Sequence, residues 1–122
     1  MTNDQKIEFL KSKGVDVETG ISNMMDIDTY DEILNDFYEG LNEQKQNIDN
    51  FKVALDMPNY AILVHALKSN ARSFGFNKLG DLAYEHEMAS KRNDINYVNE
   101  HYSELTNEID EVYNIIAEYK SL

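Results

Sequence analysis

The sequence has no cysteine, one proline and five glycines, and it contains no long apolar run. The absence of cysteine excludes disulfides and thiolate metal sites and is compatible with a reducing compartment, so we expect a cytoplasmic protein. The longest apolar run is far shorter than the roughly 20 residues that span a bilayer. The polar amino terminus, Met1–Lys6, does not resemble a signal peptide. The sequence therefore predicts neither a membrane segment nor an export signal.

Positive charges are also few, because 11 Lys and Arg residues stand against 23 Asp and Glu residues, for a formal net charge of −12. Nucleic acids and anionic membranes are bound by neutralising phosphates, so we expect neither as a partner. The stretch from Met57 to Gly80 is nevertheless free of Asp and Glu, and it carries Lys68, Arg72 and Lys78. This stretch is either a central helix with few charges or a surface suited to an anion.

Apolar residues recur at the three- and four-residue spacing of amphipathic helices, and no segment alternates like a strand. We expect a single domain over residues 1–122, with short helices within 1–24 and another over 48–55. The long helices are predicted over residues 28–46, 58–74, 77–91 and 94–120. Short connections make neighbouring helices antiparallel, so the predicted fold class is all-α: an up-and-down four-helix bundle with short extra N-terminal helices.

The helix predicted over 58–74 presents a polar stripe. Residues three, four and seven positions apart share a helical face, and the stripe consists of His65, Lys68, Ser69 and Arg72. On a helical wheel the opposite, apolar side consists of Ile62, Leu63, Ala66, Leu67, Asn70, Ser73 and Phe74. The pattern therefore predicts an exposed imidazole between two cations. A ring nitrogen of such an imidazole is suited to act as a nucleophile that carries a phosphoryl group, because the cations neutralise the phosphoryl oxygens.

Around this stripe the sequence resembles the histidine-containing phosphotransfer (HPt) domains of two-component phosphorelays. Their motif H-x-L-K-G-x-x-x-x-x-G is followed, at four-residue intervals, by an apolar residue, a small residue and Glu or Gln. The matching residues here are His65, Leu67, Lys68, Ser69, Gly75, Leu79, Ala83 and Glu87. Ser69 replaces the family's usual glycine, and its small side chain preserves most of the access to the imidazole. The region from Val15 to Phe37 also resembles the family, so the match covers nearly the whole chain.

The resemblance implies a phosphocarrier. His65 would accept a phosphoryl group on its outer ring nitrogen from a receiver-domain aspartate and pass it to another receiver. The implied partners are a response-regulator receiver domain, a hybrid histidine kinase, or both. The receiver is expected to bring Mg²⁺, and this chain is expected to bind no cofactor or metal. We also expect the protein to be a monomer. It is not expected to be an enzyme, since the sequence lacks G-x-G-x-x-G and G-x-x-x-x-G-K-[ST] nucleotide-binding motifs.

The surrounding residues have predicted roles in this scheme. Lys68 is expected to pair with the phosphoryl oxygens, and Arg72 is either a second such cation or an ordinary surface residue. Glu87 either orients the inner imidazole nitrogen or a water, or simply faces solvent. Val64 is expected to be an exposed apolar residue that contacts the partner together with Lys68 and Arg72.

Other interpretations remain open. His86 and His101 are predicted to be ordinary surface or boundary residues, because no H-E-x-x-H spacing is present for a metal site. A helical adaptor could use the same bundle to bind a signalling protein without phosphorylation. The chain could also be a bundle whose partner chains carry the chemistry of an enzyme. The pairing of His65 with Lys68 argues against the adaptor, which has no need of it.

Overall fold

The computed structural model describes all residues 1–122 and contains six helices and no strands. The helices are α1 Asn3–Ser12, α2 Val17–Asn23, α3 Ile27–Val53, α4 Met57–Phe74, α5 Asn77–Lys91 and α6 Ile95–Lys120. Helices α3 to α6 form an up-and-down bundle in which each packs on the next and α6 closes on α3, while α1 and α2 cover one end. The predicted fold class is confirmed. None of the helices combines the length and the apolar character that a membrane crossing requires.

Helix α3 is continuous where the sequence analysis predicts two helices. It runs from Ile27 to Val53, so the predicted break between 28–46 and 48–55 is wrong. The residues at the predicted break are polar but include no glycine or proline, and polar residues on an exposed side do not interrupt a helix. Ile48 is buried seven positions after the buried Leu41, so the apolar stripe continues through the break.

The two ends of α4, which carries His65, are set by specific residues. The Asp56 side chain accepts the backbone N–H of Asn59, and Pro58 occupies the first turn. Gly75 ends the helix with a φ of +93°, a left-handed conformation that glycine adopts readily. A Cβ at Gly75 would lie 2.2 Å from the carbonyl oxygen of Asp16. Glycine therefore also allows the start of α2 to lie against the turn between α4 and α5.

Helix α4 buries a different face from the predicted one. Its core residues are Met57, Tyr60, Ala61, Val64, Leu67, Ala71 and Phe74. Ile62 is 64% exposed, and Ala66 and Asn70 are also exposed. The buried face is thus turned by about 100°, one residue step of the helix, from the predicted face. Tyr60 helps to explain the difference, because its buried hydroxyl lies 2.8 Å from Nδ1 of the buried His86 and so has a polar partner inside the bundle.

Candidate functional site

His65 lies on the flank of α4 that faces α5. Its side chain is 56% exposed, as predicted, and its Nδ1 lies 2.7 Å from Oε2 of Glu87. A carboxylate only accepts hydrogen bonds, so Nδ1 carries the proton and donates it. In the neutral ring Nε2 then holds the lone pair, and it makes no hydrogen bond within the protein. The neighbouring carboxylate therefore determines which ring nitrogen is the nucleophile.

Glu87 is a buried carboxylate on α5 with three donors. Its side chain is 2% exposed, and Nζ of Lys68 lies 2.6 Å from Oε1. Oε2 accepts from Nδ1 of His65 and also from Nζ of Lys91, at 2.7 Å in both cases. Burial raises the pKa of Glu87, but the hydrogen bonds from Lys68, Lys91 and His65 outweigh it and lower the pKa to about 2. We call His65, Lys68, Glu87 and Lys91 the carboxylate cluster.

The carboxylate cluster has an excess of positive charge. Lys68 and Lys91 carry two positive charges against the one negative charge of Glu87. Lys68 is 16% exposed, and its Nζ lies 5.6 Å from the centre of the Tyr84 ring. Lys91 is 55% exposed and lies one helical turn after Glu87 on α5. The net charge beside His65 therefore suits an anion that approaches the imidazole.

Arg72 and Ser69 lie on α4 outside the carboxylate cluster. The Arg72 guanidinium lies 3.3 Å from Oδ1 of Asp81, and both side chains are well exposed. Ser69 is exposed and lies one turn after His65 on α4. The structure thus brings the predicted residues His65, Lys68 and Glu87 together, whereas Arg72 has a separate partner.

Val64 is fully buried, so the prediction that it is an exposed docking residue is wrong. It belongs to the core face of α4 described above. An open groove of about 640 Å³ lies beside His65 instead. Its apolar wall consists of Met57, Pro58, Ala61 and Ile62. Ile62 is therefore an exposed apolar residue beside His65, as the sequence analysis expects of Val64.

Lys91 is a residue of the site that the sequence analysis misses. The available signal is its spacing, because Glu87 and Lys91 are four residues apart on a predicted helix, where opposite charges meet. Such pairs are common on helix surfaces and are not specific to a functional site. Only the burial of Glu87 beside His65 distinguishes this pair from an ordinary one.

His86 lies inside the bundle, so the prediction of a surface or boundary position is wrong for it. It is 1% exposed; its Nδ1 lies 2.8 Å from the Tyr60 hydroxyl and its Nε2 lies 3.0 Å from the backbone oxygen of His101. A carbonyl oxygen only accepts, so Nε2 is protonated and Nδ1 accepts from Tyr60. Burial lowers the pKa of the His86 imidazole and favours the neutral ring. We call Tyr60, His86 and the His101 carbonyl the buried histidine network.

A four-helix bundle with a half-exposed imidazole and two lysines on its flank fits the class of helical phosphotransfer modules. A model of the Hpt domain matches residues 32–115, well over half of the chain and the whole of the carboxylate cluster. The chain belongs to the Hpt domain family, which confirms the resemblance. Hpt domains act in histidine phosphotransfer as phosphocarriers rather than enzymes and interact with receiver domains and kinases. Comparison with curated proteins and with solved structures gave no significant match.

Proposed function

We propose that this protein accepts a phosphoryl group on Nε2 of His65 from the aspartate of one receiver domain and passes it to another. The observation that supports this most directly is the 2.7 Å hydrogen bond from Nδ1 to the buried Glu87 carboxylate, on an imidazole that is 56% exposed. Because this bond uses Nδ1, the unprotonated Nε2 is the ring nitrogen that a phosphoryl donor can reach. An exposed imidazole that can attack phosphorus without first losing a proton suits a carrier.

In the transfer step, the Nε2 lone pair attacks the phosphorus of the receiver's acyl phosphate. The bond from phosphorus to the aspartate oxygen breaks, and the aspartate leaves as a carboxylate. Nδ1 keeps its proton, so the phosphorylated ring is cationic, and the adjacent Glu87 carboxylate stabilises that charge. Passing the group on reverses the same steps with a second receiver. No general base is needed in either direction.

The cations of the site would neutralise the phosphoryl oxygens during transfer, and the receiver would supply Mg²⁺. Lys68 and Lys91 are close enough to His65 for this role, since all three side chains bind the same carboxylate. Arg72 is 43% exposed and its partner Asp81 is 76% exposed, so this surface ion pair can open at little cost when a partner docks. Ser69, with its small side chain, would leave the face beside the imidazole accessible.

The groove beside His65 offers a docking surface for the receiver. Ile62 and Pro58 supply exposed apolar area there, and the surrounding acid-free stretch carries only positive charges besides the imidazole. An acidic phosphorylation pocket on the partner would be complementary to such a surface. The groups that this protein contributes to the reaction all come from a single copy of the chain, so the proposed carrier acts as a monomer.

The test is transfer from phosphorylated receiver domains, presented one at a time with Mg²⁺. We expect the parent protein to gain a label that is lost in acid and stable in base, as a phosphohistidine is. His65→Gln should gain none. His101→Gln is the matched control, because His101 is 37% exposed and its Nδ1 lies 3.1 Å from Oε1 of Glu104, without adjoining lysines. It should be labelled like the parent.

Two outcomes would contradict the proposal. Equal labelling of His65→Gln and the parent would exclude His65 as the acceptor. A parent protein that binds receivers but gains no label from any of them would instead support the adaptor function.

A further inference from the structure

The geometry points to Lys91, rather than Lys68, as the cation that moves from Glu87 onto the phosphoryl group of His65. This inference rests on the proposed function, since it concerns the phosphorylated state of the same imidazole. It assigns different tasks to two lysines that contact one carboxylate. Lys68 adds its positive charge to the site but keeps its hydrogen bond to Glu87, whereas Lys91 changes partner and follows the phosphoryl group.

The first observation is that Lys91 and His65 share one oxygen. Nζ of Lys91 and Nδ1 of His65 each lie 2.7 Å from Oε2 of Glu87, so the two nitrogens are no more than about 5.4 Å apart. Phosphorylation makes the imidazole cationic, and a charged N–H donates a stronger hydrogen bond to a carboxylate. The ring then competes better for Oε2, while phosphoryl oxygens arrive within reach of the Lys91 ammonium.

The second observation is that departure of Lys91 leaves no carboxylate oxygen unpaired. Oε2 keeps the hydrogen bond from His65, and Oε1 keeps the one from Lys68. Departure of Lys68 would leave Oε1 of a carboxylate that is 2% exposed without a donor. An unpaired oxygen on a buried charge is costly, so the release of Lys91 is the easier of the two.

The third observation is the difference in freedom and position. Lys91 is 55% exposed and lines the groove together with His65, whereas Lys68 is 16% exposed and does not line it. The ring of Tyr84 also lies beside the Lys68 ammonium, 5.6 Å from centre to nitrogen. A long, exposed lysine can change partners without disturbing the core. An anion that approaches His65 through the groove therefore meets Lys91 first.

Potassium phosphoramidate is a suitable test reagent, because this small donor phosphorylates histidine without a receiver and so isolates this chain's own groups. We expect Lys91→Gln to be labelled roughly fivefold more slowly than the parent, as expected for loss of a partly exposed ion pair. The ³¹P chemical shift of the phosphohistidine, followed against pH, gives a second readout. Loss of an adjacent cation should raise the midpoint at which the phosphoryl oxygens titrate.

Three variants serve as controls. Lys91→Arg should restore both the labelling rate and the titration midpoint, because it keeps the charge. Lys78→Gln should behave like the parent, since Lys78 is 78% exposed and pairs with Glu108 at 3.5 Å, away from His65. Lys68→Gln should lower the denaturation midpoint more than Lys91→Gln does, yet change the ³¹P midpoint less.

The outcomes separate the two proposals. If the parent gains no label on His65 from phosphoramidate or from any receiver, both the proposed function and the role of Lys91 are wrong. If the parent is labelled and Lys91→Gln matches it in rate and ³¹P midpoint, only the role of Lys91 is wrong. A ³¹P midpoint that moves in Lys68→Gln and not in Lys91→Gln would reverse the assignment of the two lysines.

Discussion

His86 and Glu87 are consecutive residues on α5, and they belong to two regions that hold histidine rings in different ways. In the carboxylate cluster, Nδ1 of His65 donates to Glu87 and Nε2 has no partner within the protein. In the buried histidine network, Nε2 of His86 donates to the His101 carbonyl and Nδ1 accepts from Tyr60. The two rings therefore carry their protons on opposite nitrogens.

This difference assigns the two histidines to different tasks. His86 uses both nitrogens and is 1% exposed, so it links α4, α5 and α6 and has no atom available for a reaction. His65 uses one nitrogen and is 56% exposed, so its other nitrogen can meet a partner. The residue type is the same in both regions. Exposure and the neighbouring donor or acceptor decide which histidine can be a nucleophile.

Among changes to the two histidine regions, the largest expected effect is a loss of stability in acid from the carboxylate cluster. The folded-state pKa of Glu87 is about 2, below the usual 4.5, so its stabilisation is complete above about pH 5 and is lost as the pH falls toward 2. The shift corresponds to about 3 kcal/mol in the free energy of unfolding. Urea denaturation from pH 7 to pH 2 should show Glu87→Gln less stable by about this amount at pH 7, with the difference vanishing in acid.

The buried histidine network gives this experiment an internal comparison. The pKa of His86 is lowered from 6.5 by burial, so its contribution is complete above the unfolded-state pKa and is lost as the pH falls below about 6.5. The Glu87→Gln variant should still lose the stabilising contribution of His86 as the pH falls below about 6.5. A constant stability difference between parent and variant over the whole pH range would contradict the ion pairing of Glu87.

A smaller effect is expected when the buried histidine network is broken. Tyr60→Phe removes the hydroxyl that donates to Nδ1 of His86, and it leaves that buried nitrogen without a donor. We expect a loss of about 1 to 3 kcal/mol in the free energy of unfolding by denaturant titration. Labelling of the folded variant should be unchanged. Tyr84→Phe, at a ring that is 40% exposed, is the matched control and should stay within about 0.5 kcal/mol of the parent. A cost at Tyr60 no larger than the cost at Tyr84 would contradict a stabilising hydrogen bond from the Tyr60 hydroxyl to His86.

The smallest expected effect on stability is at the proposed phosphoacceptor itself. His65→Gln should change the free energy of unfolding by no more than about 0.5 kcal/mol, because the side chain is largely exposed and Glu87 keeps both lysines. Leu67→Ala, on the buried face of the same helix, should cost about 2 to 5 kcal/mol in the same denaturant titration. Comparable losses at the two positions would contradict the exposure of His65.

The sequence predicted the helical bundle well because each helix carries its own periodic signal. The glycine at position 75 also predicted the end of α4, since only a residue that tolerates a positive φ fits that turn. The break predicted near residue 47 was wrong, because a polar stretch without glycine or proline can remain helical. A short polar stretch has the same sequence pattern whether it is an exposed turn within one helix or a connection between two helices.

The site was predictable only where residues lie on one helix or follow the family motif. His65 and Lys68 share a helical stripe, and Glu87 matches a motif position. Val64 and His86 were misjudged and Lys91 was missed, because their roles depend on how α4 is turned against α5. Helix α4 has apolar residues on two adjacent faces, and a helical wheel alone did not identify the buried one.

The sequence by itself therefore determined the all-helical class, the family and the exposed imidazole, because these follow from periodicity and from a motif within short segments. The tertiary structure decided the rest. Only the packing of α4 against α5 buries Glu87 beside His65, and that contact places the ring proton on Nδ1 and gathers two lysines around one carboxylate. Burial of a charge is a property of packed helices, and no single segment of the chain encodes it.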